Sequence, residues 1–306
     1  MVRTDLAMEA VQSAPNIPGV EATEDDAAPG VHRVRVTITS EEGEKQVGKK
    51  RGTYVTLEAV ELARGDAEVD EDCSKLLAEE IKSMAGDAAK GVVLVVGLGN
   101  RMVTPDALGP AVCDNVFVSR HIHEYAPDAI DARIGNVSAI APGVLGITGI
   151  ETGEIVEGVT ERLKPSLVIA VDSLAAMNLE RIRTTIQIAN TGISPGAGIG
   201  NKRKALDRET LGVPVLAIGV PLVVYASTIA QELVETALDK GPEDATLRDR
   251  MEKLVGGLSD VEGADMIVTP KEIDKVVEDL ARIIADGLNI ALHPQITLEE
   301  AHRYMH

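Results

Sequence analysis

Three short apolar runs constrain this chain more than anything else in it: GVVLVVGLGN (91–100), SLVIAVDS (166–173) and PVLAIGV (214–220). Each is continuous rather than alternating. A strand with one wet face alternates apolar with polar residues, whereas a run without alternation is buried on both faces. Such strands belong to parallel sheets covered on both sides, and parallel neighbours need crossover connections, usually helices. The intervening sequence has the required period. A helical stretch runs from about Gly109 to Tyr125. Thr148 and Glu151 make a capping-box pattern ahead of Ile155, Val156, Val159 and Leu163, which share one helical face, and Pro165 closes that helix. A further helix is expected at about 223–239. TPKEIDKVVEDLARIIADGLNIALH (269–293) is a long amphipathic helix with Thr269 as cap and Pro270 in first position. The expected fold is α/β, a three-layer αβα sandwich around a mostly parallel sheet.

The N-terminal part has a different pattern. VHRVRVTI (31–38) alternates in the manner of a half-exposed strand, and GTYVTLEA (52–59) is its plausible partner across the polar loop EEGEKQVGKK, so an N-terminal β-hairpin is expected. Residues 67–86 form an amphipathic helix with Leu76, Leu77 and Ile81 inward, and IRTTIQIAN (182–190) supplies another strand. Residues 1–30, rich in Ala, Pro, Asp and Glu without a sustained period, suit a mobile extension. No internal repeat divides the rest, and 31–306 is expected to be a single domain.

Composition removes several function classes. Acids outnumber bases by 49 to 30, a formal charge of −19, whereas phosphate-backbone binding needs clustered Lys and Arg. Aromatics are 2% with no Trp, too few for a base-stacking platform. Cys73 and Cys113 form no CxxC pair and fit a reducing compartment. The first residues lack the apolar core of a signal peptide. The longest uncharged run, Thr210 to Gln231, is broken by Gly212, Pro214, Gly219 and Pro221 and is better suited to strand, turn and helix start than to a membrane span. A cytoplasmic protein binding neither nucleic acid nor membrane is expected.

In an open parallel sheet, ligands bind beyond the carboxyl ends of the strands. Asp106 follows the first buried run and Asp172 ends the second, so two carboxylates emerge at one edge, suited to acid/base work on water or to holding a cation. Pro110 fits only a first turn, which puts Asp106 at a helix entrance, where the dipole favours the anion. Asp172 directly follows an apolar run, where desolvation favours the neutral acid. Taken blandly, one is an N-cap and the other a turn residue. GLGN (97–100) lacks the final Gly of a dinucleotide fingerprint, since position 102 is Met, and is better taken as a tight strand exit. No histidine is well placed for a triad or a zinc site. His121 and His123 fall far along the helix beside Asp106, and His293 and His302 are expected at the surface. TGISPGAGIGNKRKALD (191–207) gathers Lys202, Arg203 and Lys204 in a Gly-rich loop, either a solvated segment or one bringing positive charge to an anionic substrate group.

Together GLGN, VTPDALGP, SAIAPGVLGITGIET, VIAVDSLAA, TTIQIANTGISPGAGIGNKRK, TLGVPVLAIGVP and MIVTPKEID strongly resemble the germination protease (spore protease) family, from about Arg3 to His293. The resemblance implies a peptidase that degrades small acid-soluble spore proteins at germination in the spore core. It also implies a homotetramer made as a zymogen, and a fold similar to hydrogenase-maturation peptidases. The family's two essential aspartates fall on Asp106 and Asp172. One carboxylate would deprotonate a water while the other, protonated, assists at the carbonyl or leaving amine. The two environments favour Asp106 as base and Asp172 as acid. The hydrogenase-maturation relatives use a metal with a histidine as third ligand; Val220 to Val224 contains no histidine, so a metal-free pair without cofactor is expected, with a divalent ion at Asp106 and Asp172 as the alternative. Family substrates are cut after an acid and before a hydrophobic residue followed by Ala. Asp5-Leu6-Ala7 matches, so self-cleavage between Asp5 and Leu6 is expected, with 1–5 as propeptide. Lys202, Arg203 or Lys204 would bind the acidic side chain. The competing readings are a metal-dependent maturation-type peptidase and a non-hydrolytic α/β ligand-binding protein.

Overall fold

The computed structural model describes residues 5–12, 17–128, 130–131, 133–194, 204–239, 263–264 and 266–305. The three continuous apolar runs form β4 (Val92–Gly97), β6 (Leu167–Ala175) and β8 (Val215–Tyr225). With β5 (Asn136–Ile140) they make a parallel block, β6 pairing with β4 and β8, and β5 lying outside β4. The remaining strands are β1 (Val20–Ala28), β2 (Val31–Ile38), β3 (Gly52–Glu58), β7 (Thr185–Ala189) and the short β9 (Ile267–Val268). The order across the sheet is β1-β2-β3-β7-β8-β6-β4-β5, with β9 on β8. Every pairing from β1 through β7 to β8 is antiparallel. The N-terminal part thus contributes the expected antiparallel pair β2–β3 and one further strand, β1, outside it, joined to the parallel block through β7.

Both faces are covered because both are apolar. On one face Val93, Val95, Ile169, Val171, Ile186, Ile188, Leu216 and Ile218 pack beneath three helices, Ala67–Ala85, Leu108–Asn115 and Ile273–Leu292. Asp66 caps the first of these by accepting from the N–H groups of Glu68 and Val69. The long helix starts at Ile273 rather than at Pro270, and Glu272 precedes it without a side-chain cap, because Thr269 Oγ1 is spent on the carbonyl of Leu222. The helical stretch expected over 109–125 is two pieces, Leu108–Asn115 and Arg120–Tyr125. Between them Phe117 turns into the core, where its N–H donates to Asn289 Oδ1 at 2.9 Å. The helix after the 141–151 segment is Thr152–Leu163, and Thr148 ends a short preceding turn instead of opening it.

The opposite face has two separate covers. Leu94, Val96, Val168, Ala170 and Val215 pack against Val156, Val159 and Leu206. Val34, Val36, Ile38, Tyr54, Leu174 and Ala189 pack against Leu6, Ala7 and Met8. Residues 7–12 are helical and Val20–Ala28 is an edge strand, so the stretch expected to be a mobile extension is largely folded. The physical reason is twofold. Leu6, Ala7 and Met8 bury completely or nearly so, and the acidic β1 lies opposite a basic strand, with Asp25 facing Arg33 and Asp26 facing His32. The expected loop at 41–50 holds a helix, Glu41–Val47, capped by Ser40. Buried Glu80 ties the other cover to this wing through Arg33 at 3.1 Å and Arg35 at 2.8 Å.

Candidate active site

The gap between the two covers of the second face is a cavity of about 530 Å³ at the carboxyl edge of β4, β6 and β8. Asp106 and Asp172 both line it. Three glycines set the first of them. Gly97 lets the Leu108–Asn115 helix approach β4 so closely that an added Cβ would stand 2.2 Å from the carbonyl oxygen of Gly109. Gly109 in turn packs on Leu98 and on the Val171 carbonyl, where a Cβ would lie 2.5 Å away. Gly99 has φ +109°, and a side chain there would strike the Asp106 carbonyl at 2.0 Å. GLGN is therefore a strand-exit turn. Its Asn100 N–H is shared between the Asp106 carbonyl at 2.9 Å and Asp106 Oδ2 at 2.8 Å. Asp106 ends a 3-10 turn and does not cap the helix; Ala107 is the capping residue and makes no side-chain cap bond.

Asp172 follows Val171, whose carbonyl accepts from Leu98 N–H at 2.8 Å, so the two strand ends stay paired where the carboxylates emerge. It is 8% exposed, and its Oδ1 accepts from Ser173 N–H at 2.9 Å. Its cross-strand neighbour is Gly219, whose own neighbour is Gln187. Leu174 leans over Gly219, at 2.5 Å from where a Cβ would be, and makes the floor between the two polar side chains.

Asp5 lines the same cavity. Its N–H donates to the Ala175 carbonyl at 3.2 Å, and Ala175 N–H donates back to Asp5 Oδ2 at 2.9 Å. Leu6 and Ala7 are fully buried, and Glu9 ends the segment on Met177 N–H at 3.1 Å and on Arg181 at 3.3 Å. Besides Arg181, Lys49 brings a positive group to this segment. Burial pushes its ammonium below the usual lysine range, opposed by the carboxylates of Asp5 and Glu9. Of the basic cluster expected to bind an acidic substrate side chain, Lys204 is exposed and ion-paired to Glu157 at 2.5 Å, while Lys202 and Arg203 lie outside the described residues. Lys49 and Gln187 were missed in the sequence, although Gln187 is the lone amide in the strand TIQIA.

His293 is not at the surface. It is fully buried; its Nδ1 accepts from Gly135 N–H at 3.1 Å, and its Nε2–H donates to the Phe117 carbonyl at 3.0 Å, which requires the proton on Nε2. Burial lowers its pKa to about 4. Cys113, against Gly97 and the Ile140 carbonyl, has its thiol pushed up to about 11 by burial, and Cys73 to about 12. Among the described residues no group of three or more His, Cys, Asp or Glu is arranged to hold a metal ion, and no helix is long and apolar enough to cross a membrane.

A family model described as germination protease matches residues 2–255 and 245–305. The chain belongs to the germination protease family. A germination protease of Caldanaerobacter subterraneus subsp. tengcongensis is 46% identical over 100% of this chain and 98% of its own. Those of Clostridium tetani and Bacillus subtilis are 42% and 39% identical, covering 99% and 100% of this chain. Among solved structures, the [NiFe] hydrogenase maturation protease HycI from Thermococcus kodakarensis KOD1 matches at 18% identity and TM-score 0.36, over 69% of this chain and 99% of that one. That level of likeness is too low to transfer an activity. Family membership makes the chain a protease, and the cavity that holds Asp106 and Asp172 is the candidate place for its chemistry.

Proposed function

We propose that this chain is an endopeptidase that begins the degradation of small acid-soluble spore proteins at germination. It cuts after Asp or Glu and before a hydrophobic residue followed by Ala. Water is activated between Asp106 and Asp172, one carboxylate taking the proton while the other, protonated, assists at the carbonyl or the leaving amine. The chain is made as a zymogen that cuts its own Asp5–Leu6 bond, and it works as a homotetramer in the spore core. One observation carries this reading: in Asp5-Leu6-Ala7, an acid followed by an apolar residue and Ala, the acid lines the same cavity as Asp106 and Asp172, and Leu6 and Ala7 are buried next to it with Leu174, Ala189 and Tyr54. Lys49, rather than the 202–204 cluster, is the group proposed to favour the acidic side chain, since Asp5 and Glu9 both act on it.

The test is cleavage of a peptide containing Thr-Glu-Ile-Ala by the wild type, Asp106→Asn and Asp172→Asn, with and without chelator. Each amide variant is expected to lose about 10²–10⁴-fold in turnover, the usual weight of a general acid or base. Retained proteolysis in either variant rejects the pair. Loss with chelator, restored by one divalent ion, would assign the chemistry to a metal instead. N-terminal sequencing of incubated protein should find Leu6 first; Met1 or Val2 persisting would reject self-cleavage.

A further inference from the structure

Gln187 touches the docked N-terminal segment at two points. Its Nε2 donates to the carbonyl oxygen of Asp5 at 3.2 Å, and its Oε1 accepts from Ala7 N–H at 2.8 Å. The orientation of the amide is forced, since a peptide carbonyl only accepts and a peptide N–H only donates. The carbonyl so held is that of the Asp5–Leu6 bond. Gln187 itself is 7% exposed, fixed in β7, and in register through Gly219 with Asp172. Two strand spacings separate those two backbones by roughly 10 Å. Both side chains leave the same face of the sheet, and both line the cavity that contains Asp5.

We propose that Gln187 is the carbonyl-binding catalytic residue of this protease: its side-chain N–H holds the oxygen of the bond to be cut, while its side-chain carbonyl fixes the N–H two residues along. The proposal rests on the aspartate-pair reading and adds to it the group that receives the developing charge. When water adds to the carbonyl carbon, its proton passes to a carboxylate and the C=O π pair moves onto oxygen, toward the Gln187 N–H. When that pair returns, the C–N bond breaks and the leaving nitrogen takes a proton, giving a new carboxyl group and a free amine. A donor aimed at that oxygen strengthens as the charge grows and needs no reorganisation. Leu6, the residue on the leaving side, is buried among Leu174, Ala189 and Tyr54, so the clamp and the apolar pocket hold the same peptide bond from two sides.

The experiment measures kcat and KM on the Thr-Glu-Ile-Ala peptide for the full-length wild type, Gln187→Met and Gln187→Glu, with folding checked by thermal melting. Gln187→Met keeps the length but offers no donor, and it is expected to lose about 10²–10³-fold in kcat with KM changed far less. Gln187→Glu keeps the shape and the bond to the N–H. It should lose as much at neutral pH and recover relative to wild type as the pH falls and the carboxyl gains a proton to donate, a profile that a merely structural role would not produce. If Gln187→Met does not fold, the Gln187→Glu profile decides alone. A rise in KM with kcat unchanged, or a Gln187→Glu loss that does not change with pH, overturns the proposal. Lost turnover in Asp106→Asn and Asp172→Asn beside wild-type kcat in both Gln187 variants overturns it without touching the pair. Retained turnover in the aspartate variants beside loss in the Gln187 variants rejects the pair and leaves Gln187 alone as the group that binds the carbonyl.

Discussion

The parallel block and the antiparallel wing are held together by different physics. β4, β6 and β8 are apolar on both faces, and their residues sit almost entirely out of water. β1 buries none of its residues and exposes six of nine, and it holds its place by ladder hydrogen bonds and by acids opposite the bases of β2. The cavity lies at the seam. Asp106 and Asp172 come from the parallel block, while Gln187 and most of the pocket around Leu6 come from the wing, with Leu174 of β6 closing it. A site built at such a junction takes rigid placement from one side and a docking edge from the other.

The contrast can be broken hardest at Gly97. Gly97→Ala puts a methyl 2.2 Å from a backbone carbonyl and should cost about 3 kcal/mol or more, seen as a lower urea midpoint with unchanged slope. An unshifted midpoint would mean that the helix and β4 are not locked as described. At the outer edge of the same block, His293 has a pKa of about 4 against 6.5 for the free group. Between those values the unfolded chain binds a proton that the folded chain refuses. The stability His293 contributes is therefore complete above pH 6.5 and is lost as pH falls toward 4, by about 3 kcal/mol at most. Melting of wild type and His293→Gln at pH 7 and 4.5 checks this; an equal acid loss in both would assign it elsewhere. Smallest is the wing: Glu21→Gln on exposed β1 should stay within about 0.5 kcal/mol. A larger change in the melting temperature would show that single side chains matter on this strand as they do in the block.

That same contrast decides what could be read in advance. Uninterrupted apolar runs announced β4, β6 and β8, because burial on both faces shows as a lack of alternation, and the exits of the first two runs pointed to Asp106 and Asp172 as candidates. The wing was harder. VEATEDDAA has no apolar period to follow, and its usable signal was EDD facing HRVR across Pro29-Gly30, a pairing visible only once a tight turn is supposed between them. The helix at 41–47 was hidden in a polar stretch whose apolar contacts are few. Lys49 and Gln187 carry no spacing motif at all. Their importance comes from which segment folds over them, and β3, β7 and the N-terminal residues meet only in three dimensions. His293 misled for the opposite reason: an acidic neighbourhood along the chain concealed a fully buried place in space, where two backbone groups satisfy the ring.

The two thiols have a practical consequence. With acidities near 11 and 12, about one Cys113 in ten thousand, and fewer Cys73, carries the reactive anion at neutral pH. Alkylating agents and peroxide therefore find almost nothing to attack beside the cavity. The burial that packs the two sulfurs into the fold also keeps them chemically quiet.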